Sequence, residues 1–305
     1  MELSNIHVSV DNLATSLRKK TLLVVVGPTA VGKTQLAINL ANSFNTEILS
    51  ADSRQFYKEM SIGTAKPDAA ELAAAPHHFI DSHSLAEVYS AGDYERDALA
   101  LLDKLFLTQD VVVLVGGSGL FVRAVCEGLD NLPKAPAEIR EALNADLETQ
   151  GLAALQARLQ AIDPVHYAGM DYANPQRVVR ALEVFEATGK SIAAFQLQDV
   201  AARPFQCLTI GLNMDREILY NRINERVDRM MELGLLDEVK ALAAFRNMPA
   251  MLTVGYAELY EYLDGNCTLE EAVAKIKQNS RRYAKRQITW FKKYGNTHWF
   301  NPQDF

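Results

Sequence analysis

A glycine-rich stretch near the start of the chain carries the clearest chemical signal in the sequence. Gly27-Pro-Thr-Ala-Val-Gly-Lys-Thr34 fits the pattern G-x-x-x-x-G-K-[ST], in which a loop joins a buried strand to a helix. Backbone N–H groups of such a loop and of the helix N-terminus bind a diphosphate. The ammonium of Lys33 neutralises outer phosphate oxygens, and the hydroxyl of Thr34 is a ligand for Mg²⁺. The predicted diphosphate site consists of Gly27, Pro28, Thr29, Ala30, Val31, Gly32, Lys33 and Thr34.

The acid expected beside such a loop stands in an unusual place. Nucleotide hydrolases place an Mg²⁺-binding aspartate after a partner strand, but the apolar run 111–115 continues into Gly116-Gly-Ser-Gly119. The acid is Asp52, just after a second predicted strand. It is a candidate metal ligand or general base, and a helix cap or turn residue is the structural alternative. Because sites lie beyond the carboxyl ends of parallel strands, four residues are expected to converge there: Thr29, Lys33, Asp52 and Ser118.

A row of arginines lies on a later predicted helix that Asp215 opens. Arg222, Arg226 and Arg229 are spaced i, i+4, i+7 and therefore share one face. Guanidinium groups on one face could clamp a phosphate leaving group. Pairing with Glu225 and similar neighbours fits the same spacing equally well.

The elements that position these residues alternate between strand and helix. Short apolar runs at residues 21–26, 47–50, 78–80, 111–115 and 207–212 predict buried strands, and residues 33–43 predict a helix. This alternation predicts a parallel sheet with helices on both faces. The fold class is therefore α/β, a P-loop NTPase-like parallel sheet flanked by helices, with an inserted all-helical subdomain.

Four segments follow from this interpretation. They are a flexible N-terminal extension at residues 1–20, the first part of the P-loop core at 21–131, an inserted helical subdomain at 132–205, and a return strand with C-terminal basic helices at 206–305. The insert holds a well-delimited helix, with Asn174 as N-cap, Pro175 at the first position and Gly189 after the end. Thr268-Leu-Glu-Glu271 is a capping box that opens the basic helix.

Composition excludes several classes of protein. The chain has 305 residues, of which 49% are hydrophobic and 23% charged, an ordinary globular mixture. No apolar run approaches the roughly 18 residues of a membrane span, and the N-terminus has no secretory pattern. Three widely spaced cysteines fit neither a disulfide framework nor a metal site, so we expect a cytoplasmic protein.

The charge distribution is uneven. A net charge of −7 argues against a nucleic-acid partner. Residues 275–293, however, contain eight basic side chains and no acid, as in a selective binder of polyanions. A solvated helix face is the alternative interpretation.

Taken in order, the motifs resemble those of one family, the bacterial tRNA dimethylallyltransferases, over roughly residues 21–293. The matching blocks are Gly27-Pro-Thr-Ala-Val-Gly-Lys-Thr34, Ser50-Ala-Asp-Ser-Arg-Gln55, Ile62-Gly-Thr-Ala-Lys-Pro67, His77-His-Phe-Ile-Asp81, Tyr89-Ser-Ala-Gly-Asp-Tyr94, Gly116-Gly-Ser-Gly-Leu120, Gln176-Arg-Val-Val-Arg-Ala-Leu-Glu183, Met214-Asp-Arg216 with Arg222, Val254-Gly-Tyr256 and Tyr283-Ala-Lys-Arg-Gln-Ile-Thr-Trp-Phe291.

The resemblance implies a prenyltransferase that uses dimethylallyl diphosphate and the anticodon stem-loop of tRNAs reading codons that begin with U. The dimethylallyl group is transferred to N6 of the adenosine 3′-adjacent to the anticodon, and diphosphate is released. Mg²⁺ is the implied cofactor, on Thr34. We expect no membrane association and no obligate protein partner, and a monomer by default.

The resemblance also implies that the insert at 132–205 is a tRNA-binding subdomain, and it carries over site residues. The implied catalytic residues are Asp52 as the base, Arg222, Ser118 and Thr29. The implied tRNA-binding residues are Asp52, Ser53, Arg54, Gln55, Ser118, Arg140, Gln176, Arg177, Val178, Val179, Arg180, Gly255 and Tyr256, joined by the basic-helix residues Arg281, Arg282, Lys285 and Arg286. This sequence departs from the family in having Ser118 where threonine is usual, and Leu252 and Ala257 where polar or basic residues are frequent.

Three other functions are alternatives for a protein with this phosphate loop. An adenylate isopentenyltransferase would prenylate a free nucleotide and would need neither the insert nor the basic helix. A small-molecule P-loop kinase would transfer phosphate from ATP and would show a lid that closes over phosphate. A nucleotide-dependent RNA-binding module would lack chemistry, and undiminished turnover with dimethylallyl diphosphate in Asp52→Ala would favour this alternative.

Overall fold

The computed structural model describes residues 19–130, 132–196, 202–293 and 296–304. Residues 1–18 of the predicted N-terminal extension lie outside these ranges. The chain forms two compact units. The first comprises the chain up to Glu127 and again from Arg203, and the second comprises Gly128–Ala202.

A six-stranded sheet with every strand parallel organises the first unit, in the order β3-β2-β4-β1-β5-β6. The strands are β1 (Thr21–Val26), β2 (Ile48–Ser50), β3 (His77–His78), β4 (Val111–Gly116), β5 (Gln206–Leu212) and β6 (Thr297–Phe300). The sheet and its central phosphate loop confirm the predicted α/β, P-loop NTPase-like class.

Two strands differ from the sequence prediction. β3 ends at His78 rather than continuing to residue 80, because Phe79 has a φ of 63° and breaks the extended conformation. β6 was not predicted. It adds four residues beside β5, with the register running from Thr209↔Thr297 to Leu212↔Phe300. The segment follows a long helix and contains no apolar run that would predict a strand.

The helices surround the sheet or build the insert. In chain order they are α1 (Lys33–Phe44), α2 (Ala69–Ala74), α3 (Ala91–Leu105), α4 (Gly119–Cys126), α5 (Ala137–Gln150), α6 (Leu152–Ile162), α7 (Pro164–Gly169), α8 (Pro175–Thr188), α9 (Arg216–Glu232), α10 (Leu235–Ala241), α11 (Tyr256–Leu263) and α12 (Leu269–Lys293). Short 3-10 helices lie at Ile192–Phe195, Ala243–Phe245 and Pro302–Asp304.

Alternation along β1 separates the two faces of the sheet. Leu22, Val24 and Val26 pack in one buried cluster, which also receives apolar side chains from α3 and α4. Leu23 and Val25 pack in the other, against α1. Both faces are therefore covered, as a parallel sheet requires.

The second unit is all-helical in its described residues and spans residues 128–202, where the insert was predicted at 132–205. Its core contains Leu143, Leu159 and Leu182. The predicted helix is α8. The Asn174 side chain accepts a hydrogen bond from the N–H of Gln176, and Gly189 ends the helix in a left-handed conformation.

The predicted capping box at the start of α12 is also confirmed. The Glu271 carboxylate accepts from the N–H of Thr268 at 2.8 Å, and the Thr268 hydroxyl accepts from the N–H of Glu271 at 3.2 Å. Across the described ranges, no helix has the length and apolar character needed to cross a membrane.

Candidate active site

The predicted phosphate loop lies between β1 and α1, at the carboxyl edge of the sheet. Gly27 has a φ of +147°, and a Cβ there would stand 2.5 Å from the carbonyl oxygen of Leu212, so the position admits only glycine. Gly32, at the N-terminus of α1, is left-handed with a φ of 105°. The loop borders a cavity of about 700 Å³, which Thr29, Lys33 and Thr34 help to line.

Lys33 is positioned and desolvated by this loop. Its Nζ donates to the carbonyl oxygen of Pro28 at 2.8 Å. Burial and, to a smaller extent, the charge of Arg226 lower the pKa of Lys33 to about 8, and Asp52 acts in the opposite direction. The ammonium is therefore poised for an anion that replaces its lost hydration.

Asp52 follows β2 and lines the same cavity as Thr29 and Lys33. Its Oδ1 accepts a hydrogen bond from the N–H of Arg54 at 3.0 Å. Within the described ranges, Oδ2 accepts no hydrogen bond. The turn role and the site role are thus compatible, because one oxygen fixes the carboxylate and the other stays available.

A second cavity, of about 270 Å³, meets the first at Asp52. Both cavities are lined by Thr29, Asp52, Arg226 and Tyr283. Asp52 therefore borders the space beside the phosphate loop on one side and a separate space on the other. The remaining lining residues of the second cavity include Ser53, Arg54, Gly63, Gly255 and Ser280.

The arginine row on α9 faces the large cavity, which is one of the two arrangements that its spacing allowed. Arg226 reaches farthest, and its Nη1 donates to the Thr29 hydroxyl at 2.9 Å. Burial lowers the pKa of Arg226, and Asp52 opposes that shift. Arg222 and Arg229 line the cavity from exposed positions. Within the described part of the chain none of the three forms an ion pair, although Glu225 lines a further cavity beside them.

The sequence pattern predicted Arg226 only as one member of the arginine row, whereas the family resemblance implied Arg222 as the catalytic arginine. The signal that could have distinguished Arg226 is the apolar stripe of Ile223, Val227 and Met230, whose side chains are buried. Arg226 directly precedes Val227 and is drawn inward beside that stripe.

Ser118 does not line either cavity, although its neighbours Gly116 and Gly117 line the large one. Its hydroxyl accepts from the N–H of Ser53 at 3.1 Å and donates to the Ser53 hydroxyl at 3.2 Å. It also hydrogen-bonds Tyr283, whose pKa is raised to about 12 by burial and then by the charge of Asp52. Ser118 therefore fixes the segment that carries Asp52.

Gln287 of α12 is a site residue that the sequence did not single out. Its Oε1 accepts from the N–H of Thr29 at 2.9 Å, and its Nε2 donates to the carbonyl oxygen of Gly117 at 3.0 Å. The side chain is buried and joins the phosphate loop to the turn after β4. Gln287 lies in the Tyr283–Phe291 block that resembles the family, but the resemblance gave this side chain no role.

The basic residues of α12 differ in what they contact. Arg281 turns toward α9 and donates to the Asn224 side chain at 2.6 Å, and Arg282 donates to Asn279 at 3.3 Å. Lys285 and Arg286 are exposed. Arg282 is exposed as well, but Lys285 and Arg286 are the two of the four predicted RNA contacts whose side chains donate no hydrogen bond within the described residues.

Residues of the second unit fall into two groups. Arg180 pairs with the buried carboxylate of Glu183 at 2.9 Å, and Arg140 approaches it at 3.9 Å. Gln176 and Arg177 are exposed on α8.

Three predicted tRNA contacts need correction because their side chains are buried. Val178 and Val179 lie in the core of the second unit, since they point inward on the amphipathic α8. Tyr256 is fully buried in the first unit, and its hydroxyl donates to Glu238 at 2.6 Å. Its neighbour Gly255 does line the second cavity.

A metal could be held here only in part by protein. The described residues contain no cluster of three or more histidine, cysteine or acidic side chains arranged for a metal ion. Thr34 offers a hydroxyl to the cavity at the start of α1. One protein oxygen together with phosphate oxygens is the ligand set that suits Mg²⁺.

Comparison with known proteins places this geometry in context. The family described as IPP transferase matches residues 55–294. The chain is 51% identical to a tRNA dimethylallyltransferase of Cytophaga hutchinsonii, over 94% of both chains. It resembles the crystal structure of the full-length tRNA isopentenylpyrophosphate transferase of Bacillus halodurans, with a TM-score of 0.68, 43% identity, and coverage of 93% of this chain and 90% of that one.

A eukaryotic dimethylallyltransferase captured acting on tRNA is also similar. Its TM-score is 0.77 at 26% identity, and the match covers 93% of this chain and 74% of that one.

Proposed function

This chain belongs to the IPP transferase family, and we propose that it transfers the dimethylallyl group of dimethylallyl diphosphate to N6 of the adenosine 3′-adjacent to the anticodon. The activity itself, tRNA modification by dimethylallyl transfer, follows from the relatives along the whole chain. The observation that carries the finer proposal is the position of Asp52, which borders both the cavity lined by the phosphate loop and the second cavity.

The large cavity is the proposed diphosphate site. Loop amides, Lys33 and Arg226 surround it with positive charge. As the allylic C–O bond breaks, positive charge grows on the dimethylallyl carbon and negative charge on the departing diphosphate. Donors already directed at that negative charge lower the barrier, because they need no reorganisation during the reaction.

Asp52 is the proposed general base. The exocyclic amino group of adenine is a weak nucleophile, and its proton must leave as the N6–C bond forms. The free Oδ2 accepts that proton, while Oδ1 stays bound to the N–H of Arg54 and holds the carboxylate in place. The products are the prenylated adenosine, diphosphate and a protonated carboxyl that returns its proton to solvent.

Mg²⁺ fits the residues present, with the Thr34 hydroxyl as its proposed protein ligand beside the diphosphate oxygens. When bound, it supplies further neutralisation of the leaving group. Lys33, Arg226 and the loop amides bind and orient the same oxygens.

The second cavity is the proposed site of the target adenine. A base in a stacked anticodon loop cannot reach a buried carboxylate, so the nucleotide must leave its stack and enter the cavity. Lys285 and Arg286 are the proposed contacts to tRNA phosphates from the first unit, and Arg140, Gln176 and Arg177 from the second. We propose the cytoplasm as the location, where the tRNA substrate is found.

The test uses labelled dimethylallyl diphosphate and total tRNA, with mass analysis of the nucleosides. Asp52→Asn preserves an oxygen for the N–H of Arg54 but removes the base, so turnover is expected to fall by about 10²- to 10⁴-fold while the fold is retained. Asp68→Asn is the matched control, because Asp68 only caps α2. Undiminished turnover in Asp52→Asn would eliminate the base assignment, and transfer of phosphate from ATP to an acceptor would favour a kinase.

A further inference from the structure

Glu238 on α10 accepts four hydrogen bonds on one carboxylate. Oε2 accepts from the N–H groups of Ser61 at 3.0 Å and Ile62 at 2.8 Å, and Oε1 accepts from the N–H of Gly63 at 3.1 Å. Oε1 also accepts from the Tyr256 hydroxyl at 2.6 Å. Three successive backbone N–H groups directed at one anion form a nest, and here a side chain of the protein fills it.

The loop held in this way borders both cavities. Ser61, Ile62 and residues 64–67 line the large cavity, and Gly63 and Thr64 line the second. Glu238 itself lines neither. Any displacement of residues 61–67 therefore changes the space for both substrates, whereas the carboxylate that holds them touches neither.

The loop is also joined to the segment that carries Asp52. The Gln55 amide donates to the carbonyl oxygens of Thr64 at 3.3 Å and Ala65 at 3.2 Å, and its Oε1 accepts from the Ser50 hydroxyl at 3.3 Å. A chain of hydrogen bonds thus leads from α10 through the loop to the residues on either side of Asp52.

Gly63 fixes how closely these parts approach. A Cβ at Gly63 would stand 2.5 Å from the Tyr256 ring, so only glycine lets the loop rest on that ring. Tyr256 is fully buried, and burial followed by its hydrogen bond to Glu238 raises its pKa well above the ordinary value. The phenol therefore stays protonated and donates to Glu238.

We infer that Glu238 is a positioning residue for prenyl transfer. By accepting hydrogen bonds from the N–H groups of Ser61–Gly63, it holds the 61–67 loop in place as a wall that the large cavity and the second cavity share. The inference rests on the proposed function. It gives a role to the Ile62–Pro67 block, which the resemblance had marked without one.

The first measurement is steady-state turnover of Glu238→Gln with both substrates saturating. The amide nitrogen of glutamine turns a donor toward backbone donors, so at least one charge-assisted hydrogen bond is lost. We expect kcat to fall by about tenfold or more, since misplaced reacting groups lose their alignment. The KM for dimethylallyl diphosphate is expected to rise by a smaller factor than kcat falls, because Lys33 and Arg226 still bind the diphosphate when the 61–67 wall is displaced.

Glu59→Gln is the matched control. Glu59 also holds a loop through a backbone N–H, that of Leu85 at 3.0 Å, and a hydroxyl, that of Ser84 at 2.7 Å, but it lines neither cavity. It is expected to keep the wild-type kcat. If Glu238→Gln and Glu59→Gln show equal kcat values, the positioning role is refuted. If the wild-type protein shows no turnover, it is the proposed function that fails.

Chemical rescue separates positioning from a general loss of structure. Glu238→Ala leaves space beside the nest, and added acetate is expected to restore kcat severalfold by binding the three N–H groups. Acetamide, and chloride at equal ionic strength, are expected to restore nothing. Equal effects of acetate and acetamide would overturn the inference. If neither the alanine nor the glutamine variant folds, Tyr256→Phe is the alternative test, because it removes one of the four hydrogen bonds to Glu238. A wild-type kcat and a wild-type thermal stability of Tyr256→Phe would also overturn the inference.

Discussion

Replacing Lys33 with methionine tests whether a desolvated ammonium holds the diphosphate. Burial lowers the pKa of Lys33 to about 8, which leaves it charged at pH 7 and mostly neutral at pH 9 in the free protein. An anion beside Lys33 favours the charged form, so binding above pH 8 must take up a proton. If only the charged form binds, affinity weakens by about tenfold between pH 7 and pH 9, or about 1.4 kcal/mol.

The assay is calorimetric titration of dimethylallyl diphosphate without tRNA, at constant Mg²⁺, at pH 7, 8 and 9. The second ionisation of a phosphate monoester lies near pH 6, so the ligand itself changes little over this range. Lys33→Met is expected to bind more weakly at pH 7 and to show no such pH dependence. Lys58→Met, a change at an exposed lysine outside both cavities, is expected to behave as wild type.

The same shift predicts the stability of the free protein. Between pH 8 and 10.5 the unfolded chain holds a proton on Lys33 that the folded chain has released, so wild-type stability gains relative to Lys33→Met as the pH rises. Below pH 8 the buried charge destabilises the fold in full, and Lys33→Met is expected to melt higher at pH 7. Parallel loss of affinity in wild type and Lys33→Met, or a lower melting temperature of the variant at pH 7, would refute the reasoning.

Three further predictions concern α9 and α12. Arg226→Lys loses a buried hydrogen bond to the phosphate loop and is expected to lower kcat by about 100-fold, whereas the exposed Arg222→Lys lowers it less; equal losses in the kinetic comparison would contradict this ranking. Reversing the charges of Lys285 and Arg286 together is expected to weaken tRNA binding and to flatten the plot of log affinity against log salt by up to about two in slope; an unchanged slope excludes them as phosphate contacts. Gln287→Glu replaces a donor with a carboxylate, and at least about a tenfold loss of kcat is expected; wild-type turnover would show that this side chain positions nothing.

The parts of the fold that could be predicted from the sequence are those whose signals are local. Fourteen consecutive residues, 21–34, contain the signals for strand β1, the phosphate loop and the start of α1. Helix α8 is likewise delimited by its own N-cap, its first-turn proline and the glycine after its end. Parallel strands then place their carboxyl ends at one edge, which is why Thr29, Lys33 and Asp52 were correctly expected to share a cavity.

The residues that sequence analysis missed depend on contacts far apart in the chain. Gln287 hydrogen-bonds a residue 258 positions away, and Glu238 reaches a loop about 175 positions away. Their types are ordinary on a helix surface, and only the packing of α10 against residues 57–65 and of α12 against the phosphate loop gives them a role. The predicted tRNA contacts of Val178 and Val179 were wrong for a local reason. The whole block 176–180 was carried over from the family resemblance, although helical periodicity turns these two side chains into the core.

The charge arrangement of the large cavity explains why these long-range contacts matter. Within the described residues, Lys33 and Arg226 form no ion pair, although burial lowers the pKa of both. A pairing carboxylate would neutralise them before the donor arrives, whereas neutral partners leave their charge directed at the cavity. Thr29 is held at its N–H by Gln287 and at its hydroxyl by Arg226, so the loop is fixed before any ligand binds. The free protein therefore carries an unfavourable cluster of desolvated positive charge, and a bound diphosphate relieves it. Raised thermal stability with dimethylallyl diphosphate follows from the same cause as catalysis, because the relief is greatest when the leaving group bears its full charge.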